Sequence, residues 1–277
     1  MRETVEVAGR QRLWLRMSFL IAALALIATA VGLLSEETVY AEETANWAAQ
    51  TVGQDIANLI AYPALAVLAL LALRGSLRAH IAWIGVLIYS AYSYAIYAFA
   101  INFGPLFLVW VAIFGLSVYT LIGALTSLDL ERVRTAYTDN APRRSASTVL
   151  IVIASAFYLL WLAEIIPAAI AGSRPAALDE VGLPTNPIHV LDLALFLPAA
   201  VVGGVSLLRR RSLGFVLAPA MLVAMVLLSV GIISLTLVIE ARGLEGTPGV
   251  AVVIGILTLV ELATAIGLLR SVRSRAV

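Results

Sequence analysis

The chain has 277 residues, of which 62% are hydrophobic and 13% charged, and its formal net charge is +1. Soluble domains carry roughly 25% charged residues, so this composition excludes a water-soluble fold. All 18 basic residues are arginine and there is no cysteine, which excludes lysine Schiff bases and thiolate chemistry.

Eight apolar stretches are long enough to cross a bilayer as helices, because about 20 apolar residues span the hydrocarbon core. They predict an all-α, polytopic protein of the cell membrane, with the lipid bilayer as its partner. The second predicted span is the shortest and the seventh the longest. In chain order the predicted spans are 13–34, 56–73, 81–101, 106–125, 148–171, 188–208, 213–239 and 250–269.

Arginine is retained on the cytoplasmic side of membrane proteins, so its distribution over the loops predicts orientation. With the N-terminus in the cytoplasm, all the arginines except Arg174 and Arg242 lie on that side, and the opposite loops are acidic. Both termini are therefore predicted to be cytoplasmic. In the alternative interpretation the first span is a signal peptide cleaved near Ala41, which would leave seven spans.

The longest cytoplasmic connection, about residues 126–147, divides a single transmembrane domain (1–277) into halves of four spans, 1–135 and 136–277. The two halves show a weak sequence similarity: Pro63 precedes Arg74 by 11 residues, and Pro198 precedes Arg209 by the same spacing. An even number of spans in each half gives both the same orientation. The sequence therefore suggests the hypothesis of two repeated halves of four spans each, with the same orientation in the membrane.

Ionisable residues at membrane depth normally face the interior of a bundle and mark functional sites. In the second half these are Glu164, in the outer half of the fifth span, and His189 and Asp192, three residues apart on one helix face of the sixth. Asn186 precedes that helix and can cap it. These residues predict an outward-facing site for a cation, a metal ion or a polar headgroup, with interfacial capping and helix packing as the alternative.

Glu261 lies near the midplane of the eighth span, on a stripe with Thr258 and Thr264. Because no arginine is predicted at that depth, Glu261 is expected to accept a proton, as a proton-coupled carrier requires. The alternative is a neutral glutamic acid that donates a hydrogen bond to a neighbouring helix.

Polar groups of the first half form a weaker set, for which interfacial capping and helix packing are the favoured interpretation. They are Asp55 and Asn58 on the second span and Asn102 in the turn after the third. The tyrosines of the third span spread over its circumference, so some are expected to face lipid and others to donate hydrogen bonds inside the bundle. These are Tyr89, Tyr92, Tyr94 and Tyr97.

The residues or motifs that several kinds of functional site require are absent from the sequence or too far apart. His80 and His189 are predicted on opposite sides of a hydrocarbon core of about 30 Å, too far apart to clamp one haem. The chain has no Gly-x-Ser-x-Gly elbow, phosphate-binding loop or dinucleotide fingerprint, and nothing indicates a nucleic-acid partner. A metal site, if present, would use Glu164, His189 and Asp192. The sequence leaves any cofactor and the oligomeric state unknown.

The depth of the ionisable residues favours a transporter of a small molecule or ion. In this hypothesis Glu164, His189, Asp192 and Asn186 bind the ligand and Glu261 couples its movement to protons. One alternative is a metal-dependent membrane enzyme acting on a lipid-type substrate at the outer leaflet. Another is a non-catalytic membrane subunit or sensor whose polar residues only hold the helices together.

Overall fold

A computed structural model describes residues 2–244, 246–247 and 249–273, and this part of the chain forms helices and no strands. Eight of its helical segments are long and apolar enough to cross a membrane, as the sequence predicts. They are α1, α3, α4, α5, α7, α11, α12 and the sixth span, which consists of α9, a π-helical turn and α10. The elements are α1 (Arg2–Leu34), α2 (Glu36–Val39), α3 (Ala45–Leu73), α4 (Leu77–Ala100), α5 (Phe107–Thr126), α6 (Leu130–Ala136), α7 (Arg143–Ala171), α8 (Ala176–Val181), α9 (Pro187–Leu191), the π-helical turn Asp192–Phe196, α10 (Leu197–Leu208), α11 (Gly214–Ala241) and α12 (Val250–Arg270).

The second span differs most from its prediction. Its helix, α3, begins at Ala45 and has 29 residues, one more than α11. The prediction that the second span is the shortest and the seventh the longest is therefore wrong. Thr44 caps the helix by accepting a hydrogen bond from the Trp47 N–H at 3.2 Å. Gln54 and Asp55 interrupt the apolar pattern of the sequence, but the helix continues through them because the bundle supplies partners for both side chains.

The third span, α4, is the centre of the molecule. In the most apolar stretch of 18 residues in α4, 72% is buried inside the protein, a larger share than in any other span of the described chain. Helices α3, α5, α9 and α11 pack around it. The sequence predicts that some of its four tyrosines face lipid, whereas Tyr89, Tyr94 and Tyr97 are buried and Tyr92 is half-buried.

The spans of each half pack in the same cyclic order. In the first half α1 contacts α3 and α5, and α4 contacts the same two helices; in the second half α7 and α11 each contact α10 and α12. Helix α11 also packs against α3 and α4 and so joins the halves. Up-and-down four-helix bundles in general have this order, so the repeat stays a prediction.

The loops lie at the two ends of the bundle, and at each end an arginine donates hydrogen bonds to a residue from a different part of the chain. At the acidic end, Arg242 donates to both carboxylate oxygens of Glu36, at 2.6 and 2.8 Å. At the arginine-rich end, the Arg78 Nε donates to the Val272 carbonyl at 2.8 Å. The acidic end comprises 35–44, 101–106, 172–186, 242–244, 246–247 and 249, and the arginine-rich end comprises 74–76, 127–142, 209–213 and 271–273.

Candidate functional site

Glu164 and His189 meet near the acidic end of the bundle. The His189 Nε2 lies 3.8 Å from a Glu164 carboxylate oxygen, and the Glu164 side chain is 37% exposed whereas that of His189 is 10% exposed. The His189 ring packs on Trp161, with ring centroids 4.4 Å apart. Trp161 and Glu164 are three residues apart on α7, so one face of α7 presents both to α9.

Asp192 is buried, and aromatic donors from two other helices hold its carboxylate. The Trp161 Nε1 donates to one carboxylate oxygen at 2.8 Å, and the Tyr92 hydroxyl donates to the other at 2.9 Å. Charge-assisted hydrogen bonds of this kind offset part of the cost of burying a carboxylate. Trp161 thus connects the Glu164–His189 pair with Asp192.

Asp192 begins the π-helical turn, whose geometry follows from its hydrogen bonds. The Leu197 N–H donates to the Asp192 carbonyl, one residue further back than in an α-helix. This leaves the Leu193 carbonyl free of its helical partner, and the Tyr158 hydroxyl donates to it at 2.6 Å. Isolated π-helical turns frequently occur at functional sites.

Asn186 caps α9. Its side-chain oxygen accepts hydrogen bonds from the N–H groups of Ile188 and His189, at 2.9 and 3.3 Å. This bonding fixes the direction in which the helix carrying His189 leaves the loop. A ligand-binding role for Asn186 stays a prediction.

Glu261 is buried between α12 and α11, where the Ser229 hydroxyl donates to its carboxylate at 3.0 Å. The predicted threonine stripe does not extend this contact. Thr258 and Thr264 instead donate to carbonyls of their own helix, at 2.7 and 2.6 Å.

A cavity of about 110 Å³ brings Asp192 and Glu261 together. The sixth and eighth spans thus each contribute a carboxylate, and no arginine or histidine of the described chain is in the lining. The other polar residues of its wall are Gln54, Tyr92, Trp161 and Ser229.

A smaller cavity of about 60 Å³ continues this space toward the acidic end. It shares Gln54, Tyr92, Ile96, Ile188 and Leu235 with the larger cavity and extends to Trp47 and Ile101. Glu164 and His189 line neither cavity and instead lie beside Trp161. The two cavities therefore lie next to each other between the acidic end and Glu261, with five residues common to their walls.

The sequence analysis underestimated a third buried carboxylate, Asp55. It accepts hydrogen bonds from the hydroxyls of Tyr40 and Tyr97, at 2.6 and 2.8 Å. Burial, followed by the charge of Asp55, raises the pKa of Tyr40, which therefore remains a hydrogen-bond donor. Gly32 leaves the space for this pair, because a Cβ there would lie 2.7 Å from the Tyr40 hydroxyl.

Asn58 joins the same interior. It accepts a hydrogen bond from Tyr89 at 2.8 Å, and Tyr89 in turn accepts one from Gln54. Asp55 and Asn58 thus bond between helices and cap none, whereas Asn102 bonds to Glu42 and Glu43 at the acidic end. The tyrosines of α4 were the sequence feature that indicated this cluster, because two of them, Tyr89 and Tyr97, donate these hydrogen bonds.

The residues proposed as metal ligands are not arranged as one donor set. Within the part of the chain that the structure describes, no three His, Asp or Glu side chains are placed to hold a metal ion. Glu164 and His189 meet each other, whereas the Asp192 oxygens are bonded by Tyr92 and Trp161. The hypothesis of a metal-dependent enzyme gains no support from this geometry.

Comparison with known proteins adds no functional assignment. No family model, no curated protein and no solved structure matches the chain.

Proposed function

We propose that this multi-pass membrane protein carries a small cation across the membrane in exchange for protons. The observation that carries the proposal is the single cavity lined by Asp192 and Glu261. Burying an ionised carboxylate is costly unless its charge is compensated, so a cation or protons must compensate the charge of both groups. Alternation between these two occupants is the basis of exchange.

Asp192 is the residue proposed to bind the cation. Tyr92 and Trp161 fix its carboxylate, and the aromatic side chains of Trp161, Tyr92, Phe157 and Phe196 line the same space. Aromatic faces attract cations, most strongly where water is excluded. Glu261, farther from the acidic end, accepts the Ser229 hydrogen bond and is proposed to take up and release the proton.

Glu164 and His189 are proposed to serve the approach from the outer side. The half-exposed Glu164 lies beside His189 at the acidic end, where several acidic loop residues concentrate cations by long-range attraction. Screening by salt weakens such attraction, so Glu164 is expected to affect the apparent affinity at low salt more than the maximal rate.

Uptake by proteoliposomes tests the proposal. The probe is radiolabelled tetramethylammonium, which keeps its charge at every pH, and a pH-sensitive dye enclosed in the vesicles reports proton movement. The wild-type protein is expected to accumulate the probe when the interior is acidic and to release protons as it does so. Asp192→Asn is expected to lower uptake by at least about tenfold, equivalent to about 1.4 kcal/mol of lost cation binding.

Asp179→Asn is the matched control, because Asp179 is an exposed carboxylate at the same end, paired with Arg174. Its uptake is expected to equal that of the wild type. Absence of uptake above protein-free vesicles, or equal uptake by Asp192→Asn and the wild type, would overturn the proposal. A loss of stability in Asp192→Asn with no effect on uptake would favour the structural-subunit alternative.

A further inference from the structure

A long apolar groove lies between the halves of the protein. Helices α4 and α5 form one side, and α9, α10 and α11 form the other, enclosing about 630 Å³. On α4 the lining runs from Ile84 to Ala100, a length of about 24 Å at 1.5 Å per residue. The groove therefore covers most of a hydrocarbon core that is about 30 Å thick.

The surroundings of this groove define what can fill it. Its lining is apolar except for Tyr92 and Thr185, and it is open to the side, where Phe99 is 79% and Leu195 65% exposed. Because α4, α5 and the sixth span lie within the bilayer, that side faces lipid chains and not water. A 24 Å length of helix 10 Å across would need about 1,900 Å³, three times the volume available, whereas a hydrocarbon chain is slender enough to enter.

The groove and the carboxylate cavity share one wall. Tyr92 and Phe196 line both spaces, and their rings are packed edge to face with centroids 5.4 Å apart. The Tyr92 hydroxyl also donates to Asp192. Rotation of this one side chain would open the groove into the cavity and release a carboxylate oxygen of Asp192 at the same time.

We infer that the groove and the cavity together bind an amphipathic cation, with its ammonium group at Asp192 and its hydrocarbon chain in the groove. Such a ligand enters from the bilayer, past Tyr92 and Phe196. The charge of the headgroup rests on the proposed function, because it depends on Asp192 acting as a cation site. The chain-binding part rests on the groove alone.

Photolabelling in phosphatidylcholine nanodiscs tests this inference without requiring transport. The probe is dodecyltrimethylammonium with a diazirine at the end of its chain, and dodecanol with the same diazirine is the uncharged comparison. The cationic probe is expected to label peptides of α5 or α10 that line the groove. Ala199→Trp fills the groove from α10 and is expected to lower this labelling by about tenfold, or 1.4 kcal/mol of binding.

Ala112→Trp is the matched control, because Ala112 is exposed on α5 and is not in the groove lining. Ala199→Leu replaces Ala199→Trp if the larger side chain lowers the unfolding temperature. Asp192→Asn is expected to reduce labelling by the cationic probe and to leave labelling by the uncharged probe unchanged.

Equal labelling of Ala199→Trp and Ala112→Trp would overturn the inference. So would cationic labelling that does not respond to Asp192→Asn, or a groove that is not labelled at all because another chain covers it. A protein that labels as expected but shows no tetramethylammonium uptake would overturn only the carrier proposal.

Discussion

Asp55 and Asp192 are held in the same way but occupy different surroundings. Each buried carboxylate accepts two hydrogen bonds from aromatic side chains, and in each pair one donor comes from α4: Tyr97 for Asp55 and Tyr92 for Asp192. Asp192 lines a cavity, whereas Asp55 lines none of the three cavities described above. We therefore assign Asp55 to holding α3 and α4 together and Asp192 to the ligand.

Glu261→Gln tests proton coupling at the level of one residue. The amide keeps the size of the side chain and an oxygen that can accept the Ser229 hydrogen bond, but it cannot take up a proton at neutral pH. We expect tetramethylammonium uptake to lose its response to an imposed pH gradient, while the free energy of unfolding changes by less than about 1 kcal/mol. Uptake and thermal unfolding measure the two quantities.

Glu240→Gln is the control for this substitution, because Glu240 is an exposed carboxylate near the acidic end of α11. It is expected to keep the response to pH. An unchanged pH response in Glu261→Gln would remove the proposed role of Glu261. A lower stability together with unchanged coupling would leave Glu261 as a helix-packing residue.

The π-helical turn determines at the level of the element which way Asp192 points. Its extra residue rotates α9 by about 100° relative to α10, compared with a continuous α-helix. Deletion of Ala194 would remove that residue and restore α-helical hydrogen bonds. We expect the variant to retain its helical circular dichroism and lose tetramethylammonium uptake.

Ala194→Ser keeps the number of residues and is the control for the deletion. Ala194 is exposed and is in the lining of none of the three cavities, so this substitution is expected to keep uptake. If the deletion variant transported the probe like the wild type, the π-helical turn would not be needed to position Asp192.

Close packing of α4 against α11 depends on Gly85. A Cβ at this position would lie 2.5 Å from the Ala220 carbonyl oxygen, a backbone atom that cannot move away as a side chain can. We expect Gly85→Ala to lower the free energy of unfolding by about 1–3 kcal/mol, measured by denaturant titration in detergent. Gly115→Ala on α5 is the control, because a Cβ there meets nothing within 4 Å, and equal effects of both substitutions would contradict this account.

The sequence predicts helical elements better than it predicts their burial. Apolar length alone gives the number of spans, because backbone groups in hydrocarbon must bond within their own helix. It misses the first turns of α3, where Gln54 and Asp55 lower the hydropathy although both have partners in the bundle. One sequence feature does indicate the central position of α4: this helix has the lowest mean hydropathy of the eight spans.

The candidate site at the scale of the whole molecule could be predicted only in part. Local spacing places His189 and Asp192 on one helix, and their depth directs attention to Glu164 and Glu261. The shared cavity of Asp192 and Glu261 depends on how α9, α11 and α12 pack, which no local pattern encodes. The same limitation hid Tyr92, whose hydroxyl reaches Asp192 from the other half of the chain.

The direction in which the cavity opens depends on the orientation of the whole protein in the membrane. Arginine is retained in the cytoplasm, so the arginine-rich end is expected to face inward and the acidic end outward. The chain has no cysteine, which allows single-cysteine variants without further changes. In intact cells we expect a membrane-impermeant maleimide to label Ser173→Cys at the acidic end.

Thr135→Cys on α6 is the counterpart at the arginine-rich end, since both Ser173 and Thr135 are exposed. It is expected to react with the maleimide only after the cells are permeabilised. Positive charge on the translocated side is opposed during insertion, so the two variants cannot exchange behaviour without reversing every span. Labelling of Thr135→Cys but not Ser173→Cys in intact cells would show the opposite orientation, with the acidic end of the bundle in the cytoplasm.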